Sequence, residues 1–486
     1  MEKNNSLFKN SLFFGGYKLF NALFPLITSA YIARILLPSG VGRVAIVQNI
    51  VTYFTYIAAL GMPMYGTREM ARVRNNPNKN IVFSELFFIN LFSSLFCYIA
   101  YLIMIFNSDY FAKDISMYIV FGMLILFNII NVDWVYQGFE EYKYISIRSL
   151  IIKIISFILT ILFVKKSTDL VIYSIILTFA TVGNYGFNIF NLIYNAKVSP
   201  TLKHLNFKNH FKPILILFTS SIAIELYTLV DTTMLGVMCN DVEVGYYSNA
   251  MKIIKTIIMC FVALTAVTAP KISNYFVNNK LDDIRNLIQS ICEIILLIII
   301  PASFGIILLS PQIILLLFGS EFNSAIITMQ ILSLLLLPIT FSTFFGSHIL
   351  CSTNHETCML KATIIGAVTN VILNFILINI FQQNGAAIAS IVSEMLVMIV
   401  DLYFVIKIFS IKINIKHIFD VLFASMIMFF IVNVFNYYIH IKSMIILMLV
   451  QIILAIVVYV IVKYSLQGTT QGNGLTGADM PVRFSM

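Results

Sequence analysis

Residues 133–153 of the chain read DWVYQGFEEYKYISIRSLIIK and join two segments that are almost wholly apolar. The stretch holds the single tryptophan of the chain and a dense group of ionisable residues. Polar groups between apolar segments must be solvated, paired or functional, because an uncompensated charge in a low-dielectric environment is costly. A polar turn between long apolar flanks is typical of a chain that crosses a membrane.

The composition of the whole chain supports the same interpretation. Its 486 residues are 59% hydrophobic and 11% charged, with a mean hydropathy of +0.92. Apolar runs of about 20 residues recur, each long enough as a helix to cross a hydrocarbon core of about 30 Å. Strand-like alternation is absent. We therefore predict an all-α polytopic membrane protein with about fourteen transmembrane helices.

A weak internal repeat divides the predicted helices into two sets. GVGRVAIVQNI at 40–50 parallels EVGYYSNAMKI at 243–253, and two further motif pairs match at a similar offset. Because the offset covers an even number of crossings, the repeat predicts two six-helix bundles in a pseudo-twofold arrangement about the membrane normal. The predicted units are an N-terminal bundle at 1–212, a C-terminal bundle at 213–411, two extra helices at 412–464 and a disordered polar tail at 465–486.

The basic residues indicate the orientation of the chain. The net charge is +9, and most of the 31 lysines and arginines fall on the side of the predicted N-terminus. By the positive-inside rule, both termini are predicted to be cytoplasmic. The topology thus explains the excess of basic over acidic residues, and no nucleic-acid partner is needed to explain it. The six cysteines and six histidines show no metal-ligand spacing, so neither a metal nor a cofactor is expected.

Five stretches together resemble the polysaccharide-export branch of the multidrug/oligosaccharidyl-lipid/polysaccharide exporters, the Wzx-type oligosaccharide flippases. They are spread over nearly the whole membrane part, and each is only moderately specific by itself. The stretches are FNALFPLITSAYIARILLPSGVGRVA at 20–45, LGMPMYGTREMARVR at 60–74, DWVYQGFEEYKYISIRS at 133–149, VGYYSNAMKI at 244–253 and NGAAIASIVSE at 384–394.

The resemblance implies two helix bundles around a central cavity and a transport function without catalytic residues. The implied substrate is a polyprenyl-pyrophosphate-linked oligosaccharide, such as an O-antigen, capsule or teichoic-acid repeat unit. It would be moved from the inner to the outer leaflet of the bacterial cytoplasmic membrane by alternating access with ion coupling. Membrane lipids, a proton or sodium ion and the polysaccharide polymerase machinery are the implied partners.

Basic residues inside the predicted spans are candidates for substrate binding. Lys252 and Lys255 are three residues apart, hence on one helical face, and could present two ammonium groups to a pyrophosphate. The alternative, without a role in substrate binding, is that long lysine side chains near a helix end extend to the membrane interface. The predicted cationic cavity consists of Lys18, Arg34, Lys153, Lys252 and Lys255.

Acidic residues inside the spans are candidates for ion coupling, because buried carboxylates can bind a proton or sodium ion. Glu225 and Glu394 lie roughly 18 Å and 12 Å into their predicted spans, too deep to reach water easily. A structural ion pair is the alternative for Asp231, and a neighbouring lysine is the expected partner of Asp401. The predicted coupling residues are Glu225, Glu394, Glu293 and Asp231.

The opening stretch is predicted to form a turn or gate at the cytoplasmic surface. Asp133, Glu140 and Arg148 are its candidate gate residues, with Glu140 and Arg148 in a solvated turn. Trp134 and Tyr136 are predicted to anchor the span at the membrane interface.

Three other functions compete with a flippase. A drug/cation antiporter of the same superfamily would share the two bundles but favour an acidic, apolar cavity. A membrane-embedded glycan polymerase or transferase would need a sizeable outer loop with acid/base groups, and every predicted outer loop is short. A scaffold or lipid-binding protein would leave the buried charges unexplained.

Overall fold

The computed structural model describes the backbone from Glu2 to Gly472, apart from residues 196–197, 203–204, 266–267, 412–413 and 440. Side chains are described over residues 24–466, apart from the same gaps and residues 193, 220–221, 223–224, 226 and 263–264. Within these limits the chain is helical and contains no strand.

The long helices are joined by short turns, as the apolar runs predict. A π-helix at Thr343–Leu350 continues the helix before it. In chain order the α-helices are α1 (Glu2–Ala59), α2 (Met62–Val73), α3 (Lys79–Phe106), α4 (Ile115–Phe127), α5 (Asp133–Gly138), α6 (Tyr142–Phe163), α7 (Leu170–Tyr194), α8 (Lys208–Met238), α9 (Asp241–Thr265), α10 (Thr268–Val277), α11 (Leu281–Phe318), α12 (Ala325–Leu332), α13 (Leu336–Ser342), α14 (Glu356–Phe409), α15 (Ile415–Tyr438) and α16 (Met444–Gly472).

In the described part of the chain, ten helical stretches are long and apolar enough to cross a membrane. The stretches that hold α1 and α14 each contain two crossings, separated by backbone kinks at Leu37 (φ 61°) and Gln382 (φ 50°). Leu37 precedes Pro38, whose ring disfavours helical geometry in the residue before it. With α8 and α9 the crossings number 14, which confirms the predicted all-α polytopic fold.

Helix packing follows the order of the chain. We call α1 to α7 the first half and α8 to α14 the second half. Within the first half α1 packs against α3, α4 and α6, and within the second half α8 packs against α14, and α9 against α12 and α13. The halves meet where α1 contacts α8 and α9, while α15 and α16 pack on α11. The division into bundles at 1–212 and 213–411 stays a prediction, and most of the predicted tail lies outside the described residues.

The opening stretch is buried against α2. Trp134 in α5 is only 3% exposed, and a Cβ on Gly66 of α2 would lie 2.8 Å from its indole ring. Trp134 Nε1 donates to Asn131 O at 2.9 Å, while Tyr136 is fully buried and its hydroxyl donates to Asn188 O at 2.8 Å. The prediction that Trp134 and Tyr136 are interface anchors is therefore wrong, because both rings are buried and their polar atoms are satisfied inside the protein.

The connection between the halves is fixed to α3. Glu85 Oε1 accepts the backbone N–H of Asn206 at 2.5 Å, and Glu85 Oε2 lies 2.8 Å from His210 Nε2. The other ring nitrogen of His210 lies 2.7 Å from the hydroxyl of Tyr65 in α2. All three side chains are buried, so the start of α8 is attached to the first half.

Candidate functional site

A cavity of about 200 Å³ lies where the two halves meet. It is lined by α1, α7, α8 and α9, and Lys252 and Lys255 of α9 both extend into it. Lys252 Nζ donates to Asn249 Oδ1 at 3.5 Å. No carboxylate is among the described residues that line this space. Its polar lining further includes Ser29, Gln48, Asn49, Thr228, Thr232 and Ser248.

This cavity can therefore receive an anionic group. Two ammonium groups on consecutive turns of one helix face the same space, and hydroxyl and amide side chains around them can bind phosphate or sugar oxygens. The spacing of Lys252 and Lys255 places them together as expected, and their role in substrate binding stays a prediction.

The cavity is closed at one end of the bundle, which we call the Pro38 end because Pro38, Arg43 and Asp241 lie there. A Cβ on Gly42 would lie 1.6 Å from Asp241 O, and a Cβ on Gly245 would lie 2.1 Å from Pro38 O. The kink of α1 and the first turn of α9 thus touch backbone to backbone, which only glycine permits. Two ion pairs lie beside this contact, Lys113 with Asp241 at 2.9 Å and Arg43 with Asp114.

The structure does not bring Arg34 or Lys153 into the cavity. Arg34 Nε donates to Leu317 O at 3.3 Å, where the guanidinium lies against the carbonyl end of α11. A cation at the C-terminal end of a helix is favourable because it meets unpaired carbonyls. Lys153 in α6 is half-buried and is not among the residues that line the cavity. The side chain of Lys18 lies outside the described residues.

Asp231 of α8 lies at the centre of a buried polar cluster. Its Oδ1 accepts from Asn370 Nδ2 at 2.9 Å and Asn374 Nδ2 at 2.6 Å. Its Oδ2 accepts from the hydroxyl of Tyr247 at 2.7 Å and the hydroxyl of Ser390 at 2.6 Å. The described part of the chain holds no lysine or arginine paired with Asp231. The alternative of a structural ion pair for this residue is thus not observed.

The Asp231 cluster has the chemistry of a site for a small cation. Four hydrogen bonds satisfy the carboxylate, and its neighbours also carry amide, hydroxyl and carbonyl oxygens of the type that hard cations prefer. Asn374 Oδ1 is buried without a hydrogen-bond partner, and Ser390 Oγ also donates to Ala386 O at 2.9 Å. Neither asparagine is among the residues predicted from the sequence, although their spacing of four within an apolar span places them on one helical face.

The remaining predicted coupling acids have different surroundings. Glu225 is half-buried, its Oε2 accepts from the Thr228 hydroxyl at 3.4 Å, and it faces Tyr56 of α1. Glu394 of α14 faces Tyr227 and Ser342, with Lys255 nearby. Neither carboxylate joins the Asp231 cluster.

A second space, which we call the apolar groove, lies between the second half and α15. It has a volume of about 590 Å³ and is lined by α11, α13, α14 and α15, with Phe341, Met395 and Ile418 among its residues. Glu293 lies in this groove and accepts from Asn414 Nδ2 at 3.3 Å, so it is separate from the other acids. The sequence offers no signal for the groove, because apolar residues that line it resemble those that face lipid.

The predicted gate residues are split between two environments. Arg148 is 7% exposed, with Nη2 at 3.3 Å from Asp133 Oδ1 and Nε donating to Asn184 Oδ1 at 3.1 Å. The expectation of a solvated Arg148 is therefore wrong, because α6 turns this side chain towards α7. Glu140 is exposed and pairs with Arg74 at 3.0 Å. Whether these residues act as a gate stays a prediction.

The chain is similar in sequence to two family models and to several named proteins. A family model described as MatE matches residues 217–376. Over 407 residues the chain is 24% identical to a protein named "Putative O-antigen transporter" from Escherichia coli strain K12, covering 82% of this chain and 97% of that protein. Over 236 residues it is 29% identical to "Probable low-salt glycan biosynthesis flippase Agl15" from Haloferax volcanii, covering 48% of this chain and 50% of that protein.

Solved structures show the same fold at low sequence identity. The lipid II flippase MurJ in an inward closed conformation superposes with a TM-score of 0.74 at 16% identity, over 95% of this chain and all of that chain. An inward-facing multidrug resistance MATE transporter superposes with a TM-score of 0.64 at 16% identity, over 80% and 94%. A family model described as Polysaccharide biosynthesis protein matches residues 7–276, more than half of the chain, and the protein therefore belongs to this family of multi-pass membrane proteins.

Proposed function

We propose that the protein is a flippase that moves a polyprenyl-pyrophosphate-linked oligosaccharide from the inner to the outer leaflet of the bacterial cytoplasmic membrane. The observation that carries this proposal is the cavity between the halves with Lys252 and Lys255 on one face. Pyrophosphate loses much of its hydration when it enters a protein, and two ammonium groups replace that stabilisation. The glycan would be a repeat unit of the O-antigen, capsule or teichoic-acid type, passed on to polymerase machinery.

The apolar groove supports a lipid-linked substrate. A polyprenyl tail is apolar along its length, and each buried methylene contributes about 0.8 kcal/mol. A groove of about 590 Å³ between the second half and α15 offers such a tail a binding surface. The names of the relatives, an O-antigen transporter and glycan flippases, support the same substrate class.

Transfer would proceed by alternating access. The Pro38 end is closed by the contact of Gly42 and Gly245 with opposing backbone, and by two ion pairs. The positive-inside rule assigns this end to the extracytoplasmic side and both termini to the cytoplasm. Opening it would require the α1 kink to separate from α9, which would expose Lys252 and Lys255 to the outer leaflet.

Ion coupling would use the Asp231 cluster, which joins α8, α9 and both parts of α14. A carboxylate held by groups from four membrane-crossing segments changes its affinity for a cation when those segments move. A proton or a sodium ion fits the oxygen-rich surroundings.

A drug/cation antiporter is the second candidate, supported by the match to the MatE model. Binding of an organic cation would be opposed by the two lysines and the absence of a carboxylate among the described lining residues. The cavity therefore favours the anionic substrate.

Leaflet transfer of a labelled lipid-linked glycan in proteoliposomes tests the proposal. The double substitution Lys252→Ala with Lys255→Ala removes both ammonium groups. Charge-assisted hydrogen bonds contribute about 1.5–3 kcal/mol each, so we expect transfer to fall by about a hundredfold or more. The matched control is Lys271→Ala with Lys280→Ala, two exposed lysines outside the cavity, which should leave transfer unchanged. Equal transfer by both double variants would reject the cavity as the substrate site.

A further inference from the structure

Asp401 is a buried acid of the second half. It lies in the second part of α14 and is 1% exposed. Its Oδ1 has no hydrogen-bond partner, and no basic side chain among the described residues pairs with it. The sequence predicts a neighbouring lysine as its partner, and this prediction is wrong: the Lys407 ammonium lies over the ring of Tyr403 instead.

The carboxyl packs against the π-helix at Thr343–Leu350. A Cβ on Gly346 would lie 3.1 Å from Asp401 Oδ2, so the absence of a side chain there admits the carboxyl. π-Helical turns are rare and frequently occur at functional sites. The titratable groups around it are Glu394 on the same helix and the thiol of Cys351, and His348 lies buried on the π-helix with an unpartnered Nδ1. None of these supplies a fixed positive charge.

Asp231 provides an internal comparison. It is buried in the same half to a similar degree, yet it accepts four hydrogen bonds that can stabilise a carboxylate. Among the described residues, no hydrogen-bond donor or counter-charge meets Asp401, and an ionised carboxylate without them is far less favourable than the neutral acid. We propose that Asp401 is a proton-binding site of the second half, separate from the Asp231 cluster, and that it takes part in ion coupling.

Glu394 lies between Asp401 and the cavity that holds Lys252 and Lys255. It precedes Asp401 by seven residues, which places both carboxyls on one face of α14 about 10 Å apart along the helix. Glu394 in turn faces Tyr227 and has Lys255 of the cavity nearby. A proton at Asp401 thus has a second carboxyl between it and the cavity. The coupling part of the inference rests on the proposed transport function, whereas protonation of Asp401 does not.

Infrared spectroscopy of the full-length protein in lipid tests the protonation directly. At neutral pH, Asp401→Asn should remove a protonated-carboxyl C=O band from the wild-type spectrum. Asp282→Asn, at an exposed aspartate, should remove only carboxylate bands. Asp401→Glu restores the acid and should restore a protonated band, which keeps the test valid if the asparagine variant folds poorly. If Asp401→Asn lost only carboxylate bands and kept every protonated-carboxyl band of the wild type, the proposal would be overturned.

Transfer of a lipid-linked glycan under an imposed pH gradient tests the coupling. Wild-type transfer should accelerate with the gradient, and Asp401→Asn should lose that acceleration while keeping transfer without a gradient. An unchanged acceleration would overturn the coupling role. If the wild type transfers no glycan at all, the proposed function fails, while the infrared result still decides whether Asp401 binds a proton.

Discussion

At the scale of single residues, the acids inside the predicted spans have very different surroundings. Depth along a span shows that a carboxylate is remote from water, but it does not show which groups lie opposite. The donors to Asp231 from α14 are 139 to 159 residues away in the chain. Glu225 and Glu394, the deepest candidates by sequence, lack such a cluster. The packing of α8 against α14 therefore decides which acid is best suited to bind a cation.

Asp231→Asn tests that assignment. The substitution keeps the size of the side chain but places an amide among four donors, and leaving buried donors unsatisfied costs about 1–3 kcal/mol. We expect the variant to fold, with a lower midpoint of thermal unfolding, and to lose any dependence of glycan transfer on an imposed sodium or proton gradient.

Asp420→Asn is the control, because Asp420 lies on α15 and faces Lys463 at 3.9 Å, away from the cluster. It should keep the ion dependence of the wild type. Ion dependence retained in Asp231→Asn would contradict the role of the cluster.

At the scale of helices, the two copies of the internal repeat meet in space. GVGRVAIVQNI begins at the kink of α1, and EVGYYSNAMKI begins in the first turn of α9. Gly42 of the first copy faces the backbone of Asp241, two residues before the second copy, and Gly245 of the second copy faces the backbone of Pro38, two residues before the first, at distances that exclude a Cβ. The repeat therefore forms the closed Pro38 end.

Gly245→Ala tests whether this contact closes the cavity. A Cβ would meet Pro38 O at 2.1 Å, so the two segments must separate. In a cysteine-free background, we expect a cysteine at Ser248, which lines the cavity, to react faster with a membrane-impermeant maleimide applied from the Pro38 end.

The matched control is Gly183→Ala in α7, where nothing lies within 4 Å of the added carbon. With Gly183→Ala, the cysteine at position 248 should react with the maleimide as fast as it does in the protein that keeps both Gly183 and Gly245. If Gly245→Ala also leaves labelling unchanged, closure does not depend on the glycine contact.

At the scale of the whole molecule, the cationic cavity and the apolar groove lie in different parts of the structure. The cationic cavity lies between the halves, whereas the apolar groove lies between α11, α13, α14 and α15. Helices α15 and α16 pack on α11, and α15 forms one wall of the groove. This arrangement suits a substrate with a charged head and a long apolar tail.

Met395→Asn tests the contribution of the groove. Met395 is 40% exposed in the groove, and a bound tail would cover it. An amide buried there by the tail would lack a partner at a cost of about 1–3 kcal/mol, so we expect weaker transfer of a glycan on a long polyprenyl chain. Transfer of the same glycan on a short, water-soluble chain should change less.

Met426→Asn provides the control, since Met426 is exposed on α15 and is not among the groove residues. Equal losses in the two variants, or an equal loss for long and short chains, would show that the groove does not hold the tail.

The sequence alone determined the membrane fold, the helical spans and the family resemblance, because apolar run length and short motifs are local properties of the chain. It also placed Lys252 and Lys255 on one helical face. Only the tertiary structure decided that Trp134 and Arg148 are buried. It also decided that Asp231 meets four hydrogen-bond donors whereas Asp401 meets none among the described residues. The apolar groove between α11, α13, α14 and α15 likewise appears only in the tertiary structure. These features depend on contacts between helices distant in sequence, and within apolar spans a residue that faces lipid has the same composition as one that faces a partner helix.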